Sequence, residues 1–442
     1  MSRAALLALI DRFSCRSPRN ILLVVFLVNS LAIGWFIQFA LGEPVSTPAL
    51  ALAFLRLQQA GTDSWEPMLM AIEYLRQHEG MQLYRKLFFE DQVKFQYPLT
   101  SLLPLDVFQQ ISGFSRERLY PLLNASSWVS VLLMGVVSWL LFSLRPLPDR
   151  TPEWGHGRGA SIGFLLLIMA ITLTFYPLSK AWMLGQIQTW ITLLVALTLL
   201  AWMYGKPVVA GVLLGLCCAI KPQWAVILVW GLLRREWSFV IAGTVTFALL
   251  ALWAVLLYGL QNFFDYVAVL SYIGQRGEAF FQNQSINGLM NRLLFNGSNF
   301  KWSAHTFPPF NPVVYATTLV SSIAILGATL LLRRKEKANV LDLGFVVLGV
   351  SMASPIAWEH HYAILLPIYA LMLTAVIDER GGDGRWLLAL GVSFFLVSQN
   401  LGFLNYFRDS LLNVFQSYRL LGAFIALYLL YRLNAAPRQP PA

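Results

Sequence analysis

The sequence predicts an all-α polytopic membrane protein, and three observations carry that reading. Hydrophobic residues make up 57% of the 442 and charged residues only 12%. Apolar runs recur about a dozen times at roughly the 20 residues that a helix needs to cross the hydrocarbon of a bilayer. Lys and Arg fall mostly in the short stretches between those runs, where they orient spanning helices. No water-soluble core could hide so many apolar runs, so one helical bundle over residues 1–442 replaces the usual estimate of one domain per ~150 residues.

The net charge of +10 follows the same logic. It belongs to loops that face a membrane surface, and nucleic acid is excluded as a partner. The three cysteines, Cys15, Cys217 and Cys218, form neither a metal-ligand pattern nor a disulfide pattern, and the adjacent pair sits inside an apolar run as packing. There is no phosphate-binding glycine loop, no dinucleotide fingerprint and no serine-nucleophile motif. The chain is therefore expected to need neither cofactor nor metal.

The first span runs from Asn20 to Leu41 behind Arg3, Arg12, Arg16 and Arg19, which place the N-terminus in the cytoplasm. It is too long for a signal-peptide core and no small-residue cleavage site closely follows it, so it reads as an uncleaved anchor. Residues 42–118 form a long outer loop with short helices. The span Leu119 to Leu144 returns to Arg145, Arg150 and Arg158. Ser161–Leu178 and Gly185–Tyr204 are a hairpin with an outward turn at Ser179–Leu184. Val208–Leu233 has Lys206 before it, Arg234 and Arg235 after it, and Lys221-Pro222 at its middle. Basic residues at both ends predict two short helices that rise and return with Lys221 at the apex. Each half spans roughly 20 Å at 1.5 Å per residue, so the apex lies below the outer membrane surface.

Trp237–Leu260 leads to a second long outer loop over residues 261–312. Val313–Leu332 ends in the basic cluster Arg333-Arg334-Lys335-Glu336-Lys337, followed by spans at Val340–Ser354, Tyr362–Ile377, Trp386–Leu401 and Leu411–Leu433. Residues 434–442 are a Pro-rich, disordered cytoplasmic tail. The expected count is about twelve spans with both termini inside, which puts every polar motif on the outer side.

Asp63 and Glu66, three residues apart, would share one face of a helix. Their simplest role is local, since Thr62-Asp63-Ser64 can cap a helix running through Met70 and Ala71. Tyr97-Pro98 can likewise begin a short helix through Leu105. Lys221 is harder to explain locally, because an ammonium inside an apolar run is costly unless an anion or water receives it. His360 and His361 are adjacent and point different ways along a helix, so they suit a phosphate or hydroxyl better than a shared metal. Arg292 and the amides of Asn283 and Gln284 fit either substrate contacts or an anchor to lipid headgroups.

The order of these motifs resembles the glycosyltransferase family 87 members of the GT-C superfamily, over most of the chain. The resemblance is carried by Asp63 with Tyr74 and Leu83-Tyr84, by Phe95-Gln96-Tyr97-Pro98, and by Gly185-Gln186. It continues in Ala210-Gly211 through Gly215 to Lys221 with Arg234-Arg235, in Asn283-Gln284-Ser285 with Gly288 and Arg292, and in Ser354-Pro355 through Trp358 to His360-His361. Two positions depart from it. The usual double proline after the tyrosine is Pro98-Leu99 here, and Asp63 is followed by Ser64-Trp65-Glu66-Pro67 instead of an aromatic-rich run.

The resemblance implies a GT-C type bundle that transfers a sugar, often mannose, from a polyprenyl-phosphate donor to a hydroxyl of a lipid or glycan acceptor on the outer face of the cytoplasmic membrane of a bacterium. Asp63 is then the general base. Lys221, Arg292, His360 and His361 receive the donor phosphate, and Glu66, Tyr97, Gln186, Asn283 and Gln284 contact substrate. Two other classes compete: a lipid or sugar transporter or flippase, and a ligase that moves a glycan from a polyprenyl diphosphate. A transporter would show a second broken helix at an equivalent position, and no other apolar run carries a break like Lys221-Pro222 at its middle.

Overall fold

The computed structural model describes residues 18–42, 45–78, 82–111, 113, 115–143, 162–332, 338–380 and 383–435. Arg3, Arg12, Arg16, Arg145, Arg150, Arg158, the basic cluster at 333–337, Cys15 and the tail beyond 435 lie outside the described residues. Every regular element among the described residues is helical, and Asn283 and Trp358 form an isolated antiparallel bridge.

In chain order the helices are α1 (Pro18–Ala40), α2 (Thr47–Leu55), α3 (Trp65–Gln77), α4 (Leu102–Ile111), α5 (Arg116–Ser143), α6 (Ile162–Leu173), α7 (Tyr176–Leu184), α8 (Gln188–Met203) and α9 (Pro207–Ile220). They continue as α10 (Val226–Arg234), α11 (Trp237–Tyr258), α12 (Leu260–Arg276), α13 (Ile286–Leu293), α14 (Pro312–Leu331), α15 (Val340–Met352), α16 (Leu365–Arg380), α17 (Gly384–Ser398) and α18 (Tyr418–Ala435). Short 3-10 turns occupy Leu99–Ser101, Pro222–Ala225, Glu359–Ile364, Gly402–Phe407 and Leu411–Ser417.

Among the described residues, five helical stretches are long and apolar enough to cross a membrane: Arg116–Ser143, Trp237–Tyr258, Pro312–Leu331, Glu359–Asp378 and Leu411–Asn434. α6 and α7 make a sixth if the bent pair is one span, and shorter apolar helices lie at Leu27–Ala40, Gln188–Met203, Pro207–Ile220, Val340–Met352 and Gly384–Ser398. Helix α11 shows why this is a membrane surface. It turns Ile241, Leu249, Leu252, Leu256 and Leu257 outward, an apolar face that water would not tolerate and lipid does.

The break at Lys221 has a local cause. A residue before proline is pushed out of the helical region, and Lys221 sits at φ −147°, ψ 99° between α9 and the 3-10 turn that starts at Pro222. The chain then reverses. Gly211 and Gly231, on opposite arms, both lie against Phe239 of α11, so close that a Cβ on either would meet it within 3 Å. Cys217 and Cys218 are free and buried in α9.

Two stretches differ from the sequence expectation. Ser179–Leu184 is the body of α7, bent 63° from α6, and the turn comes instead at residues 185–187. Pro177 in the first turn of α7 presets its φ, and the Ser179 hydroxyl donates to the Leu173 carbonyl that ends α6 (2.6 Å). The loop over 261–312 opens with a 17-residue helix, α12, started by Gly259 at φ +86°. Its inner face is Asn262, Tyr266, Val269 and Ile273, a helical period embedded in polar sequence.

Candidate active site

Residues 61–64 cross the C-terminal end of α7 as a ledge that turns at Asp63-Ser64 into α3. The Gly61, Asp63 and Ser64 amides donate to the carbonyls of Met183 (2.8 Å), Leu184 (3.0 Å) and Gly185 (3.3 Å). The approach needs two glycines. Gly185 is left-handed at φ +68°, and a Cβ there would fall 1.8 Å from the Gly61 carbonyl oxygen. On either side of the ledge, aromatic contacts fix the flanking helices. Phe54 of α2 stacks on Trp128 (4.3 Å) and meets Trp182 edge-on (5.0 Å), and Trp65 of α3 packs on Trp190 (5.1 Å).

Asp63 therefore precedes α3 and does not cap it; Ser64 occupies the cap position, and its hydroxyl serves a different network. Ser64 Oγ donates to Gln186 Oε1 (2.8 Å) and accepts from the Ile187 amide (3.1 Å), which leaves Tyr97 to donate to Ser64 (2.8 Å). With its oxygen so engaged, Gln186 presents its NH2 to Asp63 Oδ2. One carboxylate oxygen is thus held and the other is free to take a proton. Asp63 is open to water yet crowded by protein. That crowding raises its carboxyl above the ordinary 3.8, against the opposing pull of the Gln186 hydrogen bond and the charge of Lys180.

The Leu83-Tyr84 and Phe95–Pro98 motifs hold Tyr97 in place. Tyr84 donates to the Tyr97 carbonyl (2.8 Å) and stacks on Phe95 (5.5 Å). Helix α12 braces both segments, through Asn262 accepting from the Leu83 amide (2.8 Å) and Tyr266 donating to the Gln96 carbonyl (3.0 Å). Three residues past Tyr97, the Thr100 hydroxyl donates to the Ala219 carbonyl, two residues before Lys221. A strap of at most ~11 Å thus joins the network around Asp63 to the helix break.

Lys221 Nζ lies 2.9 Å from His361 Nε2. His360 is buried at right angles to His361, with Nε2 unpartnered. One residue earlier, Glu359 is sealed in an ion pair with Arg419 (3.0 Å) and accepts from Tyr176 (3.2 Å), the first residue of α7. The contacts now close a ring: Asp63, Gln186, Ser64, Tyr97, Thr100, Ala219, Lys221, His361, His360, Glu359, Tyr176, and along α7 back to Leu184 under Asp63.

The other expected site residues have different surroundings. Asn283 donates to the carbonyls of Glu278 (2.8 Å) and Pro355 (3.2 Å) and accepts from the Ala357 amide (2.9 Å). Gln284 donates to the carbonyls of Phe281 and Gln416 (both 2.7 Å) and accepts from the Arg419 amide (3.1 Å). Arg292, 1% exposed, donates to the carbonyls of Phe280 (3.3 Å) and Asn283 (3.0 Å) and to Ser417 Oγ (2.7 Å). These three side chains staple residues 278–292 to 355–359 and 416–419, and so position the histidines from behind. Glu66 points away from Asp63 to Arg116 (2.7 Å) and to the Tyr120 hydroxyl. Partial burial raises its carboxyl, but those hydrogen bonds and the Arg116 charge outweigh it and the net shift is downward.

Four residues of the site escape sequence reasoning: Gly61, Ser64, Lys180 and the Glu359 partner Arg419. The sequence pattern puts Lys180 in the outward turn at Ser179–Leu184, and only its place inside α7 makes it a charge within an apolar helix like Lys221. Among the described residues no group of three His, Cys, Asp or Glu side chains could hold a metal ion.

The profile of glycosyltransferase family 87 matches residues 95–355. That stretch holds Tyr97, Gln186, Lys221, Asn283, Gln284 and Arg292, with Asp63 before it and His360-His361 just after it. The chain is also 24% identical over 255 residues to a polyprenol-phosphate-mannose-dependent alpha-(1-2)-phosphatidylinositol mannoside mannosyltransferase of Mycobacterium tuberculosis. The aligned part is 57% of this chain and 54% of that protein, so the chain spans about half the length of the curated relative it matches. With the profile covering more than half of its residues, this multi-pass helical chain belongs to glycosyltransferase family 87.

Proposed function

We propose that the chain moves a hexosyl group, mannose first among the choices, from a polyprenyl phosphate to a hydroxyl of a lipid or glycan acceptor at the outer face of a bacterial cytoplasmic membrane. The observation that supports this reading is the path of contacts that connects the Asp63 carboxylate, through Gln186, Ser64, Tyr97 and Thr100, to the helix break that carries the Lys221–His361 pair. A hydroxyl is a weak nucleophile, so a carboxylate must take its proton as it attacks, and Asp63 has a free oxygen for that. The acceptor oxygen bonds to the anomeric carbon while the bond from that carbon to the phosphate oxygen breaks. Its electron pair leaves on polyprenyl phosphate, where Lys221, His361 and His360 supply cation and hydrogen-bond donors. In this scheme the base acts on one face of the anomeric carbon and the phosphate leaves from the other, so one displacement inverts it. Asn283, Gln284 and Arg292 act in this scheme by holding the histidine segment. The relative's donor class supports the same reading, since the one phosphate of such a donor can be received by side chains alone.

The test is incubation of the purified chain in detergent with a panel of polyprenyl-phosphate sugars, polyprenyl-diphosphate glycans and an acceptor-lipid extract. Release of polyprenyl phosphate from one member of the first group is the expected result. Release of polyprenyl diphosphate instead would make the chain a glycan ligase, and no release with movement of a lipid would make it a transporter.

A further inference from the structure

Lys180 is 7% exposed, inside a nine-residue apolar helix. Among the described residues it has neither a hydrogen-bond partner nor an ion pair. A buried ammonium in that state is costly unless an anion arrives. Two anions of the protein lie nearby, and neither forms a hydrogen bond or ion pair with it. Glu359 is paired with Arg419 and accepts from Tyr176, and Asp63, with one oxygen on Gln186, acts on Lys180 only through space. Its position is nevertheless central. Lys180 follows Tyr176 by four residues and precedes Leu184 by four, so it shares a helix face with the residue that grips Glu359 and stands one turn from the carbonyl that carries Asp63. It is within electrostatic reach of Asp63, Glu359 and His360, three separated points of the ring. Trp182 Nε1, on the same helix, and His360 Nε2 are buried polar atoms without a partner.

We propose that Lys180 contacts the donor phosphate and stabilises the charge it gains as the sugar leaves. This rests on the reading of a polyprenyl-phosphate donor. The donor is a phosphodiester with one negative charge. When the bond from the anomeric carbon to oxygen breaks, its electron pair stays with the phosphate and the product is a monoester approaching two charges, while the acceptor proton goes to Asp63. Lys221 is already paired with His361 and can meet the charge present from the start. The unpaired Lys180 meets the charge that develops, an interaction stronger in the transition state than in the bound substrate.

The experiment compares the full chain in detergent with Lys180→Met and Lys180→Arg, measuring kcat, donor KM and inhibition by polyprenyl monophosphate at pH 8. Lys180→Met should lower kcat by about 10²-fold, the usual effect of deleting one such donor, with donor KM within about threefold of wild type. Inhibition by the monoester should weaken by about tenfold, as expected for one lost contact to a charged group. Lys180→Arg should recover part of both. A wild-type kcat in Lys180→Met, a loss confined to KM, or unchanged inhibition overturns the assignment. So does a Lys180→Met chain that fails to fold, since removal of an unpaired charge should not unfold it. If the wild-type chain itself is neither active on such donors nor inhibited by the monoester, the donor reading fails first and takes this one with it.

Discussion

Gly185→Ala separates the proposed geometry from mere fold, because the substitution acts on the backbone hydrogen bonds that carry the ledge around Asp63, the proposed base. A Cβ at residue 185 would sit 1.8 Å from the Gly61 carbonyl oxygen and 3.0 Å from the Thr62 nitrogen. Since real Cβ contacts essentially never fall under 3.0 Å, the ledge at 61–64 must withdraw by at least about 1.2 Å. That movement stretches the hydrogen bonds from the Asp63 and Ser64 amides and carries the carboxylate out of line with Gln186. A 1 Å misplacement of a reacting group costs about 10²-fold in rate. The left-handed φ adds about 1–2 kcal/mol of strain for alanine.

The assay is turnover with the donor identified by the panel above, alongside donor binding and thermal unfolding in detergent. The expected pattern is a fall in kcat near 10²-fold, donor binding close to wild type, and a chain that still elutes as a folded species. Gly61→Ala provides a graded control, because its Cβ would approach the Leu184 carbonyl only to 2.8 Å and needs a far smaller shift. A Gly185→Ala chain with wild-type kcat would show that the ledge does not position the reacting group, and Asp63 would lose its assignment as base.

Asp63→Asn keeps the Gln186 contact geometry but removes basicity, so transfer should fall by about 10² or more while donor binding survives. The base works ionised, so wild-type activity should drop as pH falls through the Asp63 value, which lies above 3.8, and that acidic limb should vanish from the residual activity of the variant. Lys221→Ala should raise the donor KM or abolish turnover without unfolding the chain, and normal donor dependence would return the phosphate to Lys180 and the histidines. Arg292→Lys cannot reproduce the guanidinium bonds to Phe280, Asn283 and Ser417, so it should cost about 2–3 kcal/mol of stability, read as a lowered Tm, with donor KM unchanged in the protein that remains folded.

What could be read from the sequence was whatever local chemistry dictates. Composition and run length give the membrane class, and a proline after a charged residue gives the break at Lys221, because both effects act within a few residues. The ring itself is built from tertiary contacts between residues far apart in the chain, such as Ser64 with Gln186 and Lys221 with His361, and no local pattern encodes them. Asn283, Gln284 and Arg292 illustrate the limit. Amides and a guanidinium in a polar loop read as ligands for a substrate, yet backbone carbonyls buried in an irregular loop demand the same donors, and here the carbonyls take them. Lys180 is the reverse case. Its placement in an expected turn made its charge unremarkable, whereas inside α7 the same residue is a buried, unpaired cation.

Helix α7 is the element on which the proposed base and cation sides depend together. At its start, Tyr176 reaches Glu359, and the guanidinium of Arg419 lies 4.6 Å from the Tyr176 ring as it pairs with the same carboxylate. At its end, Leu184 and Gly185 carry Asp63 and Ser64. The two ends are roughly 13 Å apart at 1.5 Å per residue, so a rigid helix fixes the separation between the base and the segment that holds the histidines. A purely apolar contact at Glu359 would be at least as stable, since replacing a fully buried ion pair by packed hydrophobic groups is often neutral or favourable. The ion pair does something packing cannot. Arg419 also donates to the Gln399 carbonyl (2.6 Å), and its backbone amide binds Gln284, so one side chain and its own amide pin α7, the 399 turn and the 278–292 staple at a single point. The His360-His361 segment follows Glu359 directly, and its register relative to Asp63 is therefore set by directional bonds that admit one arrangement, not by an apolar surface that could slide.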